Sequence, residues 1–183
     1  VTMMLVDGDI KLGGTCTVTY VTETKFWACG HPILMDGSIV APARKAGIAT
    51  SYKSPNEAYK MVGEQYESFG HITYDGMFAI EGDLSKVPEN SMIPVKMNVN
   101  LNGRPLTISY EVFKHKLYSE AFIAQIGSQA VEPLWNPNKK ASVISQSVIH
   151  YDKKSLKLFE SSYAGPPTSF GPFLIMANPW SAI

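Results

Sequence analysis

The sequence predicts a mostly β protein with a minor α component: an antiparallel β-barrel, or a sandwich, with one helix in its C-terminal half. Three observations carry this. Asp75-Gly76 and Asn102-Gly103 are tight-turn dipeptides flanked by strand-forming runs, a strong local signal for antiparallel hairpins. Ile93, Val95, Met97, Val99 and Leu101 alternate with other residues, the period of a strand with one buried face. Only one stretch, residues 119–131, repeats its apolar residues at helical spacing.

The elements follow in order. Residues 3–6 are an apolar strand closed by the turn Asp7-Gly8-Asp9, and residues 10–12 lead through Gly13-Gly14 into a hairpin. Its strands are residues 16–21 and 26–29, rich in Thr, Val, Tyr, Phe and Trp. The polar run Thr22-Glu23-Thr24-Lys25 is the turn. After Asp36-Gly37, residues 38–40 and 43–52 are extended, and Ser54-Pro55-Asn56 breaks them. Residues 69–74 and 77–80 flank Asp75-Gly76, and residues 92–101 and 106–113 flank Asn102-Gly103. The helix has Ser119 as cap, Glu120 near the positive end of its dipole, and Phe122, Ile123, Ile126, Ala130 and Val131 as its apolar residues. Pro133 ends it. Strands at 141–150 and 155–159 are joined near Asp152-Lys153. The tail from Gly165 is dense in Pro, Gly and aromatics and reads as an irregular strap, or as a linker to a further segment.

Composition narrows the function. The 183 residues carry 16 basic and 16 acidic side chains, so no cationic surplus points to nucleic acid, and Arg44-Lys45 is too small a basic spot to change that. No apolar run approaches the roughly 18 residues of a membrane span. A start at Val1 with no signal peptide reads as a mature fragment or excised domain. No His/Cys spacing suggests zinc. Asp75, Glu81 and Asp83 lack calcium-loop spacing and read as turn residues, so no metal and no cofactor is expected. His71 reads as a satisfied sheet residue, His115 between two lysines as solvated, and His150 as the strand-end partner of Asp152.

The two cysteines leave two pairings open. If Val21 pairs with Phe26 across a four-residue loop, Cys29 lies opposite Val18 and Cys16 is diagonal to it, roughly 7–8 Å away and too far for a relaxed disulfide. If the loop is Thr22-Glu23, Cys16 and Cys29 face each other and can be bridged.

Gly30-His31-Pro32 ends the hairpin and offers an imidazole at the rim of the sheet. As a simple turn, its ring would hydrogen-bond the backbone. The strand Cys16-Thr17-Val18-Thr19-Tyr20-Val21, followed closely by Gly30-His31-Pro32-Ile33, resembles the sporulation stage IV B (SpoIVB-type) serine peptidase family in its broader bacterial branch. The likeness continues at residues 74–82, at Met92-Ile93-Pro94-Val95 and at residues 109–130, and so covers most of the chain. The resemblance implies one domain over residues 1–183 with a trypsin-like double β-barrel. Its two lobes would be residues 1–100 and 101–164, with a Pro/aromatic tail at 165–183. It also implies a cell-envelope, periplasmic or extracellular setting and a protein or peptide partner.

For catalysis, the resemblance implies a serine activated by a histidine that an aspartate orients, with His31 in the histidine position. The family's Gly-x-Ser-Gly-Ser-Pro turn is absent here, and Cys16 stands where the family pattern has Gly. The nearest stretch in composition is Gly165-Pro166-Pro167-Thr168-Ser169-Phe170-Gly171, whose prolines remove N–H donors that an oxyanion hole would need. Ser169 is the candidate nucleophile, and Asp152, which precedes it, the candidate orienting acid. Either cysteine paired with His31 is a further candidate nucleophile. The leading expectation is a peptidase-like domain with a degenerate site, an interaction module of a larger envelope or secreted protein. The competing ones are an active serine endopeptidase using His31, and a purely structural β-rich protein whose tail packs on a neighbouring chain.

Overall fold

The structure is a computed structural model that describes residues 1–55, 59–101, 103–131, 141–151 and 154–165. Asp152, Ser169, Pro133 and, apart from Gly165, the expected tail at 165–183 lie outside the described residues. The chain is mostly β with one helix. Its strands are β1 (Thr2–Gly8), β2 (Leu12–Thr15), β3 (Val18–Val21), β4 (Lys25–Ala28), β5 (Gly37–Tyr52), β6 (Tyr59–Gly76), β7 (Ala79–Asp83), β8 (Met92–Leu101) and β9 (Arg104–Phe113). Then come α1 (Tyr118–Val131), β10 (Ala141–Tyr151) and β11 (Lys154–Gly165).

The expected barrel does not close. The large sheet runs β3-β4-β7-β6-β5-β1-β9-β8, with β2 beside β1, and among the described residues its two end strands do not pair with each other. β10 and β11 form a separate two-stranded sheet. All the strand pairs with a resolved register are antiparallel. Closure needs a consistent tilt and stagger around the whole sheet. Here β5 and β6 instead break register at several bulges and spend half their length on each other alone.

Two compact units are present. The first comprises residues 1–94 and 110–115 and holds β1 to β7. β1 is its centre. It pairs with β2 from Thr2 to Val6, with β5 at Thr2 and Met3, and with β9 from Val6 to Gly8. A strand flanked in this way is buried on both faces, which is why residues 3–6 are an unbroken apolar run. Met3, Met4 and Val6 are wholly buried, as are Phe26, Ile72, Ile80, Val112 and Phe113. Phe26 lies over Gly82, its cross-strand partner on β7. A Cβ there would fall 2.1 Å from the ring, so only glycine admits the phenyl group.

The second unit holds the described residues of 95–109 and those from 116 on. Gly103 takes a left-handed φ of 88° in the turn after β8, and its N–H donates to Asn100 Oδ1 at 2.7 Å, as the Asn102-Gly103 signal predicted. In α1, Ser119, Ile123, Ala124, Ile126 and Gly127 are buried on one face, while Ala121 and Gln125 are exposed. Ser119 sits one residue inside the helix rather than at its cap, a difference within the usual fraying of helix ends. β11 extends to Gly165, beyond the expected end at 159.

One turn moved. β6 continues through Asp75 to Gly76, which pairs with Ala79, so the β6–β7 connection is Met77-Phe78 rather than Asp75-Gly76. The reason is the job Asp75 does in the loop described next.

Candidate functional site

The β3–β4 hairpin delivers His31. Thr22 N–H donates to Lys25 O at 2.8 Å, and Lys25 N–H returns to Thr22 Oγ1 at 3.0 Å. This fastens the four-residue loop and sets Val21 opposite Phe26 and Tyr20 opposite Trp27. Continued unchanged, that register would keep Cys16 diagonal to Cys29. β3 instead carries one extra residue, Thr19, between the Tyr20–Trp27 and Val18–Ala28 pairs. The slip brings Cys29 N–H to Thr17 O at 3.0 Å, and Cys16 and Cys29 form a disulfide with Cα atoms 5.0 Å apart. So the four-residue loop and the bridge coexist, which neither sequence alternative allowed. The bridge also removes both cysteines as nucleophiles.

The segment from Cys29 to Gly37 has little regular structure and is held by its contacts. Cys29 and Gly30 adopt left-handed φ of 76° and 75°, and so do Met35 and Gly37, at 60° and 74°. Three successive N–H groups, from Ile33, Leu34 and Met35, donate to the Asp75 carboxylate at 2.9, 2.5 and 3.0 Å. Asp75 is wholly buried. Consecutive amides converging on one anion form a nest, and they offset the cost of burying its charge. Ile33 packs on Gly14 of β2, where a Cβ would lie 2.8 Å from the isoleucine side chain. Asp36 pairs with His115 Nε2, whose ring stacks on Phe113 at 5.4 Å. His115 is therefore not solvated as expected; its side chain is 8% exposed.

His31 itself is exposed. Its Nδ1 lies 2.8 Å from Pro32 O. A carbonyl can only accept, so Nδ1 carries the proton and donates, and the lone pair is on Nε2. The ring thus hydrogen-bonds the backbone, as a simple Gly-His-Pro turn would, and its Nε2 is left for other partners. Asp152 and Ser169 lie outside the described residues, so the geometry of the triad candidates rests on His31 alone.

The remaining candidates are occupied elsewhere. Glu81 takes Lys25 Nζ at 2.6 Å and Trp27 Nε1 at 3.2 Å, and this partnership raises the Lys25 pKa. Asp83 accepts the Ser85 N–H at 2.7 Å, and its hydrogen bonds with Ser85 hold its carboxyl below the usual range. Arg44 pairs with Asp7. His71 lies in β6 opposite Asp83 and is buried, as a sheet residue should be. Its Nδ1, however, has no hydrogen-bond partner among the described residues, so it is not fully satisfied. His150 lies in β10 opposite Ser155. No group of three or more His, Cys, Asp or Glu side chains able to hold a metal ion occurs among the described residues. No helix there is long and apolar enough to cross a membrane.

The roles of Asp75, Asp36 and His115 are not marked in the sequence. Asp75 was masked by the glycine after it, which reads as a turn. Asp36 and His115 are 79 positions apart, and no local pattern links them. No protein family, no curated protein and no solved structure matches this chain.

Proposed function

We propose that the chain is a SpoIVB-type peptidase-like domain that presents the His31 turn as a protein- or peptide-binding element of a larger envelope or secreted protein, without serine-peptidase chemistry of its own. The observation that carries this reading is the His31 Nδ1–H, which the Pro32 carbonyl takes. In a working triad a carboxylate occupies that position and stabilises the imidazolium formed when the ring accepts a proton. A carbonyl orients the ring but adds no counter-charge. The Cys16–Cys29 disulfide supports an oxidising compartment. A trypsin-like origin of the fold belongs to the same proposal and rests on the motif order.

An active endopeptidase using His31, Asp152 and Ser169 is the reading to beat, because Nε2 is left with its lone pair at the surface. A fluorophosphonate probe decides between them. No labelling of the wild-type chain, with unchanged folding of His31→Ala, is the expected result. Labelling that disappears in His31→Ala and in Ser169→Ala would establish the enzyme instead.

A further inference from the structure

We propose that the outer part of the β5–β6 hairpin is a self-association arm, in which β6 pairs antiparallel with β6 of a second copy of this chain. β1 reaches β5 only at Ala43 and Arg44, and β7 reaches β6 only from His71 to Gly76. Beyond those points β5 and β6 continue as partners of each other, through Ala46↔Gln65, Ile48↔Val62, Thr50↔Met61 and Tyr52↔Tyr59. The resulting two-stranded arm is roughly 25 Å long at about 3.3 Å per residue. Among the described residues, its outer edges have no strand partner. Two strands alone are marginal in water, and a third or fourth supplies what they lack. Side chains of a kind that prefers cover are exposed along it: Ile48 45%, Tyr52 53%, Tyr59 55%, Met61 51% and Tyr66 50%.

The order of charges on β6 selects the occupant. Lys60 lies towards the tip and Glu64 and Glu67 towards the base. All three are exposed, and none has an ion-pair partner among the described residues. A two-fold axis at Val62 sets Lys60 of each copy opposite Glu64 of the other. It also sets Met61 of each copy opposite Gly63 of the other, which has no side chain to obstruct it. A parallel copy would set lysine on lysine and glutamate on glutamate. The zero net charge adds no general repulsion between copies. β6 also carries an extra residue between Val62 and Gln65. Such a bulge bends the strand and limits the length over which a second β6 can pair.

Sedimentation equilibrium of the purified chain across a concentration series tests this, with circular dichroism confirming that each variant is folded. The wild type is expected to form a dimer. Lys60→Glu and Glu64→Lys, each alone, are expected to weaken it by about tenfold or more, because two opposite-charge contacts become like-charge contacts. An equimolar mixture of the two variants restores the match at both contacts and is expected to regain wild-type affinity as a heterodimer. Hydrogen exchange at residues 60–64 should slow as concentration rises. A chain that stays monomeric throughout overturns the proposal, and so does a dimer indifferent to both charge reversals. An arm that binds an unrelated extended peptide or lipid vesicles while the chain remains monomeric overturns it too.

Discussion

The His31 loop and the β5–β6 arm reverse the usual expectation about order. The loop from Cys29 to Gly37 has almost no ladder of its own, yet it is tied at both ends and in the middle. The disulfide holds Cys29, three amides grip Asp75, and Asp36 pairs with His115. The arm has a long backbone ladder, but among the described residues no further strand flanks it beyond Arg44 and Ser68. Backbone hydrogen bonds form wherever two strands meet. Fixing a segment in place takes links to parts of the chain distant in sequence, because only those remove the freedom of the whole segment. The loop has such links and presents His31. The arm lacks them and is placed to gain them from a second copy.

The largest effect is expected at Asp75. Asp75→Ala leaves three loop amides without their acceptor, and is expected to destabilise the first unit by about 3–5 kcal/mol. Urea unfolding would show this, and the His31 ring resonances should broaden before the global transition. Asp75→Asn keeps the shape but loses the charge and should fall between. If Asp75→Ala leaves the midpoint unchanged, the nest does not hold the loop.

Next comes the cross-link. Replacing Cys16 and Cys29 together by Ser is expected to cost about 3 kcal/mol, by freeing the unfolded chain. Amide exchange across residues 29–31 should speed up, while the arm should not respond.

Tyr110 lies in the core. Its hydroxyl is buried without a hydrogen-bond partner among the described residues, and burial pushes its pKa up to about 12. The unfolded chain therefore loses this proton first, near pH 10. Stability is fully present below pH 10 and falls as pH rises from there towards 12, by on the order of 2 kcal/mol. Tyr110→Phe should remove this component of the alkaline loss and leave neutral-pH stability equal or higher, as seen by thermal melts at pH 7 and pH 11.

The smallest effect belongs to the arm. Tyr52→Ala removes the Tyr52–Tyr59 stack, whose rings lie 5.1 Å apart. At concentrations low enough to keep copies apart, it should change stability by about 0.5 kcal/mol. A much larger loss would mean that the arm is packed into the body rather than projecting from it.

Much of the fold was legible because its signals are local. The alternation from Ile93 to Leu101 and the Asn102-Gly103 turn marked β8 and β9, and the spacing from Ile123 to Ile126 marked α1. The candidate site was legible only at His31, where a strand stops at Gly-His-Pro. Its supports were not. Asp75 looked like a turn residue because Gly76 follows it, whereas Gly76 lies under Tyr74, whose ring would be 2.5 Å from a Cβ there. His115 looked solvated because lysines flank it. Two residues past the end of β9, its ring stacks on Phe113 and pairs with Asp36. The disulfide turned on a single inserted residue, Thr19, and a bulge leaves no distinct mark in composition.

The chain alone determined its strand-rich character, most of its turns, its one helix and the surface histidine, because pleat, helical period and turn geometry act over a few neighbouring residues. Only the tertiary structure decided that the sheet stays open, that Cys16 and Cys29 meet, and that a buried carboxylate organises the histidine's loop. Each of those depends on which distant segments share an edge or a pocket, and that choice is made by long-range packing.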